Sequence, residues 1–121
     1  MIEAVRVYDF PRPKPGAKKS TRFLVERLWP RGMKKEALKI DGWLKDVAPS
    51  TELRHWYAHK VERWPEFRRR YLAELRGNPS GWQPLIEAAR RGDVTLLYSA
   101  RDTEHNSAVV LRGLLIKKAA R

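Results

Sequence analysis

Cysteine is absent from this chain, and with it go disulfides, thiolate zinc sites and cysteine nucleophiles. The redox compartment is left open. No run approaches the roughly 20 apolar residues that a membrane span needs. The opening Met1-Ile2-Glu3-Ala4-Val5-Arg6-Val7 also lacks the continuous apolar stretch of a secretory signal. A soluble, cytoplasmic protein without membrane contact is the expectation. Acidic side chains are the minority, 14 against 26 Lys plus Arg, which gives a net charge of +12. Residues 12 to 39 carry ten basic side chains against two acidic ones, Glu26 and Glu36. Such a field attracts phosphates, nucleic acid or an acidic protein partner, and it also keeps a small protein soluble, so charge alone does not choose between them.

At 121 residues the chain is long enough for one domain, residues 1–121, and short for two. Ile2, Val5, Val7 and Tyr8 predict a first strand over residues 2 to 8. Pro11, Pro13, Pro15 and Gly16 then forbid regular structure through about residue 20, leaving a basic loop. Phe23 to Leu28 reads as a second strand. Val94-Thr95-Leu96-Leu97-Tyr98 reads as a third, apolar enough on both faces to lie inside a sheet with helices above and below.

The residues between the second and third strands have a helical pattern. Ser50 or Thr51 can cap a short helix carrying Leu53, Trp56 and Tyr57. A longer helix follows, with Trp64, Phe67, Arg68, Tyr71, Leu72 and Leu75 at helical spacing, Pro65 in its first turn and Gly77 as its stop. Ser80 and Gly92 bracket another, with Trp82, Leu85, Ile86 and Ala89 facing inward. After the third strand, Asp102 or Thr103 is placed to cap a last helix with the stripe Ala108, Leu111, Leu114 and Leu115. Strands separated by long helical crossovers indicate an α/β fold: a small, mostly parallel sheet of three to four strands flanked by helices.

Arg27-Leu28-Trp29-Pro30-Arg31-Gly32 stands where the second strand must turn, and carboxyl ends of strands are where α/β proteins place ligands. If the second and third strands are parallel neighbours, this turn faces the loop Ser99-Ala100-Arg101-Asp102-Thr103-Glu104-His105-Asn106-Ser107. The crevice between them would hold a small phosphorylated or carboxylated ligand. Arg27, Arg31 and Arg101 would hold the anion, because guanidinium groups match phosphate and carboxylate oxygens. Trp29 would wall the pocket, and Lys45 and Ser50 would approach from the neighbouring segment. Asp102, His105 and Asn106 are the groups suited to orienting the ligand or moving a proton, and are the candidate catalytic residues.

Plainer readings stand beside these. Arg27 and Arg31 can instead pair with Asp46, Glu52 or Asp102 and hold loops down, and His105 can serve as a surface or capping residue. His55 and His59 stand four apart, a spacing that can bind metal, but no third ligand is near in sequence and Trp56 and Tyr57 between them read as core. Neither a metal nor a cofactor is expected. Nucleic-acid binding is the alternative function, motivated by the charge and by the basic loop from Arg12 to Arg22, although no helix-turn-helix stands out and no aromatics interleave that loop.

Arg27 to Gly32, the run Trp43-Leu44-Lys45-Asp46-Val47-Ala48-Pro49-Ser50-Thr51-Glu52-Leu53-Arg54, and Arg63-Trp64 followed by Phe67-Arg68-Arg69-Arg70-Tyr71 together resemble the domain of unknown function 488 family, in its YeaO-like branch. The resemblance runs from Val5 to Leu115 and takes in Val94 to Tyr98 and Glu104-His105-Asn106. It implies the fold far more than a function. Longer relatives of that family carry a cysteine in the third strand and a Cys-His-Arg triplet at the next helix start. Tyr98 and Asn106-Ser107-Ala108 stand there instead, which removes thiol-based phosphatase or sulfur-transfer chemistry.

Overall fold

The computed structural model of the protein describes residues 1–9 and 20–120. Its sheet has four parallel strands, β1 (Ile2–Arg6), β2 (Thr21–Leu24), β3 (Gly42–Trp43) and β4 (Val94–Tyr98), in the order β1-β4-β2-β3. Every residue of β4 is buried, as suits a largely apolar strand with neighbours on both sides, and its Thr95 hydroxyl is matched by Ser20 Oγ at 2.6 Å. Its register places Leu97 beside Val5 and beside Leu24.

Four α-helices lie among the described residues: α1 (Thr51–Tyr57), α2 (Trp64–Arg76), α3 (Pro79–Arg91) and α4 (Ser107–Ala119). The period of two along β4 divides the core. Val94, Leu96 and Tyr98 pack with Leu53 and Tyr57 of α1, Phe67 and Tyr71 of α2, Leu85 of α3 and Leu111 of α4. Leu97 points the other way, to a smaller cluster with Val7, Leu24 and Leu38. That second face is covered by Trp29, Met33 and Ile40, which lie outside the helices. The expectation of helices on both faces is therefore corrected: all four described helices contribute to one face, and a coil seals the other.

Both leading strands are shorter or shifted relative to the sequence reading. β1 stops at Arg6, the partner of Tyr98, because β4 ends there, and Val7–Asp9 form a 3₁₀ turn. β2 begins at Thr21, whose amide donates to the Asp93 carbonyl, and its last sheet bond is Val25 N to the Leu97 carbonyl. Residues 26 to 28, expected to continue the strand, turn away from it. β3 was not foreseen, since two residues including a glycine carry no strand signal. Gly42 packs closely there: a Cβ would stand 3.1 Å from the Phe23 ring, which would have to give by a few tenths of an ångström.

Local signals place most helix ends. Ser50 Oγ accepts from Leu53 N at 3.1 Å and caps α1. Pro65 sits in the first turn of α2, and Gly77 follows its last residue. α3 begins one residue before the expected Ser80, at Pro79, whose missing N–H costs nothing in a first turn. The cap of α4 is Asn106, not Asp102 or Thr103. Its Oδ1 accepts from Val109 N at 3.0 Å, and its backbone is extended at φ −141° and ψ 163°. Asp102 instead closes the turn ahead of the helix, accepting from the amides of Glu104 and His105, each at 2.9 Å. The basic loop expected through about residue 20 lies, from residue 10 to 19, outside the described residues.

Within α4, Gly113 is exposed and a Cβ there would meet nothing within 4 Å. Gly113→Ala is therefore expected to raise stability by about 0.5–1 kcal/mol, read as a higher urea midpoint at unchanged slope. A lower midpoint would contradict this placement of the helix face.

Candidate functional site

Because β2 and β4 are parallel and paired, the segments leaving them emerge at the same edge of the sheet. Glu26 joins the two. Its Oε1 accepts from Ser99 N at 2.6 Å and from Ser99 Oγ at 3.1 Å, while its backbone carbonyl accepts from Trp43 Nε1 at 2.6 Å. One residue thereby ties the ends of β2, β3 and β4. Over this clamp opens a hollow of about 950 Å³, bounded by parts of the segments 26–31 and 99–107 and by residues at and just beyond the end of α1.

Three arginines from three segments line it: Arg31 after β2, Arg54 on α1 and Arg101 after β4. None of their guanidinium groups has a hydrogen-bond or ion-pair partner among the described residues. Arg31 is held through its backbone, whose carbonyl accepts from Tyr8 Oη at 2.7 Å. All three histidines of the chain, His55, His59 and His105, also line the hollow. Its carboxylates are already engaged, Glu26 on Ser99 and Asp102 on the amides of its own turn. The three guanidinium groups are thus left without a direct ion-pair partner among the described residues, although Glu26 and Asp102 keep their negative charge beside them.

Trp29 forms part of the wall. Its Nε1 donates to the Met33 carbonyl at 2.5 Å, and Trp43 packs edge-on against it with centroids 5.3 Å apart. Asp102 Oδ2 stands 3.0 Å from His105 Nδ1, and the His105 ring meets Trp64 edge-on at 5.2 Å. Asp102 is thus held between the carboxylate turn and the imidazole. Its pKa lies below the usual carboxylate value, chiefly because the His105 amide donates to it, then the Glu104 amide, with the imidazole contributing less. Asn106 is buried, with its amide used on the Asp102 carbonyl and on the cap. Burial raises the pKa of Tyr98, and a hydrogen bond with Asn106 partly offsets this.

Three of the expected ligand residues stand elsewhere. Arg27 directs Nε to the Pro49 carbonyl and Nη2 to the Ala48 carbonyl, both at 3.2 Å, and so fastens the segment entering α1. Its partners are carbonyl oxygens, not the acids Asp46, Glu52 or Asp102. Ser50 donates to Glu74 Oε2 at 2.7 Å besides capping α1. Lys45 lies over the Trp43 ring, 4.1 Å from its centroid. Arg27 and Ser50 border a separate hollow of about 140 Å³. Arg31, Trp29, Arg101, Asp102, His105 and Asn106 do come together.

Arg54, His55 and His59 were missed as members of this hollow. For His59 the reason lies at the end of α1, where Ala58 and His59 both take left-handed backbone, φ 47° and 57°. That ends the helix at Tyr57 and turns His59 to the hollow, so His55 and His59 do not share a helical face. No glycine marks the turn, and the sequence carries no other signal for it. Among the described residues no three His, Asp or Glu side chains gather as metal ligands.

A family model described as "Inactive DUF488-N3 subclade" matches residues 1–121. The chain belongs to the DUF488 family. It is 44% identical over 110 residues to "Uncharacterized protein YeaO" of Escherichia coli (strain K12), covering 91% of this chain and 92% of that relative. It is also 39% identical over 114 residues to "Uncharacterized protein Mb3100c" of Mycobacterium bovis, covering 94% of this chain and 92% of that one. No solved structure matches at a significant level. None of the described helices is long and apolar enough to cross a membrane. In this DUF488 chain the two positions where the resemblance puts cysteines of longer relatives are Tyr98, 3% exposed, and the cap Asn106, 4% exposed.

The Asp102 turn has a pH signature. Its carboxyl is lowered in the folded state, so its stabilising contribution is complete above the ordinary carboxylate value and is lost as the pH falls through the lowered one. Asp102→Asn keeps the turn's acceptor and removes the charge. The melting-temperature gap between wild type and this variant is expected to be open at pH 7 and to close on acidification below about pH 4. A gap independent of pH would contradict the assignment.

Proposed function

We propose that this protein binds a small ligand bearing a phosphate or carboxylate in the hollow at the carboxyl edge of its sheet. The observation that carries this reading is the presence of three guanidinium groups, on Arg31, Arg54 and Arg101, around one cavity whose carboxylates are already satisfied. An anion there gains charge-assisted hydrogen bonds without displacing an internal partner. Binding without turnover is the form of the reading we favour. The matching subclade is described as inactive, and Asp102 and Asn106 are spent on building the loop and the helix cap. His105 then positions the loop through Asp102 and Trp64, and its Nε2, which has no partner among the described residues, is left for a ligand group.

The net charge of +12 also suits nucleic acid. Part of the basic surface is internally neutralised, since Glu66 takes both Arg69, at 2.7 Å, and Arg70, at 2.8 Å. The hollow, with its unmatched arginines, is the better defined feature.

Calorimetric titration with a panel of phosphate esters and carboxylates tests this. Wild type is expected to bind at least one member, and Arg31→Ala to weaken it about 10- to 100-fold, the worth of a charge-assisted hydrogen bond. Arg27→Ala removes an equal charge outside the hollow and is expected to cost about 1–3 kcal/mol of stability instead, with affinity retained. Absence of binding by wild type, or equal binding by wild type and Arg31→Ala, would overturn the reading.

A further inference from the structure

Resting on the anion-binding reading above, we infer that the ligand of this hollow is a nucleotide, with its phosphate on the arginines and its base against Trp29 and Leu28. Size is the first argument. About 950 Å³ is at the upper end of the roughly 300–1,000 Å³ of sites that enclose whole organic ligands, and a lone phosphate or acetate would leave most of it to water. The second is the apolar surface beside the charge. Leu28 is 66% exposed, and it is the large hydrophobic side chain lining this hollow that the fold leaves uncovered. An aliphatic group so placed between Arg27 and Trp29 has no role in the core.

Trp29 supplies the third argument. Its N–H is taken by the Met33 carbonyl and its ring is braced by Trp43, so what remains for a ligand is π surface. A planar base can cover that surface with a whole π face, whereas a sugar or an aliphatic acid meets it through C–H groups alone. Stacking of this kind tolerates any base, because every base has a π face. Of the groups that could read base edges, the carboxylate, hydroxyl and amide are engaged, Glu26 and Ser99 with each other and the Asn106 amide with Asp102 and Val109, while the imidazoles of His55 and His59 and Nε2 of His105 remain. The contact with Trp29 therefore recognises a base as a plane.

The experiment titrates the full chain with AMP, CMP, TMP, ribose 5-phosphate, inorganic phosphate and hexathymidylate. AMP and CMP are expected to bind within about tenfold of one another, and both about 5- to 100-fold more tightly than ribose 5-phosphate, the increment that base stacking provides. Trp29→Ala should collapse that ratio. Should this variant not fold, Leu28→Ser, on an exposed side chain, carries the same comparison. Tighter binding of hexathymidylate than of TMP would mean that the nucleotide is presented in a single strand, and equal binding that it is free. Ribose 5-phosphate binding as well as AMP, with both dependent on Arg31, would overturn the nucleotide inference and leave anion binding standing. Binding of none of the probes would overturn both.

Discussion

The hollow exists because Glu26 holds the ends of neighbouring strands together. Parallel pairing of β2 with β4 brings residues 26 and 99 to one edge, but pairing stops at Val25 and leaves the Ser99 amide without a ladder partner. Glu26 supplies one at 2.6 Å and draws in Trp43 through its own carbonyl. An amide at a strand end, part-buried, is costly to leave unmatched. The carboxylate that satisfies it keeps its charge but is spent as an acceptor on Ser99, so it forms no salt bridge with the arginines of the hollow.

The same economy governs the rest of the rim. Asp102 is consumed by a turn and Asn106 by a helix cap, while Arg27 is consumed by two carbonyls. Side chains that look equally available in the sequence thus divide into those that build the edge and those that face outward from it. Trp29 belongs to both groups, since its N–H builds the coil over the second core and its ring borders the hollow.

Much of this was legible in the residues. The largely apolar Val94–Tyr98 announced a central strand, its parallel neighbour followed from the helical crossover, and Ser50, Pro65 and Gly77 marked helix ends by ordinary capping chemistry. That two loops meet at one edge followed from those elements. What escaped was set by tertiary partners. A two-residue β3 has no periodicity to read. Asp102 and Asn106 are both good capping residues four positions apart, and only the extended backbone at Asn106 decides between them. Arg27 and Arg31 flank the same turn, yet carbonyls from the segment before α1 claim one and nothing among the described residues claims the other. His59 enters the site because two residues without glycine's freedom adopt left-handed backbone, at a cost of about 1–2 kcal/mol each, while Arg54 and His55 come to it from within α1.

The central claim is that segments distant in sequence form a single anion site. Amide chemical-shift mapping of the labelled protein during titration with inorganic phosphate tests it most directly. The account predicts that resonances in 26–31, 54–59 and 99–107 move together and saturate with one dissociation constant. Shifts confined to one of these segments, different constants for each, or movement centred on the arginines of α2 would contradict it.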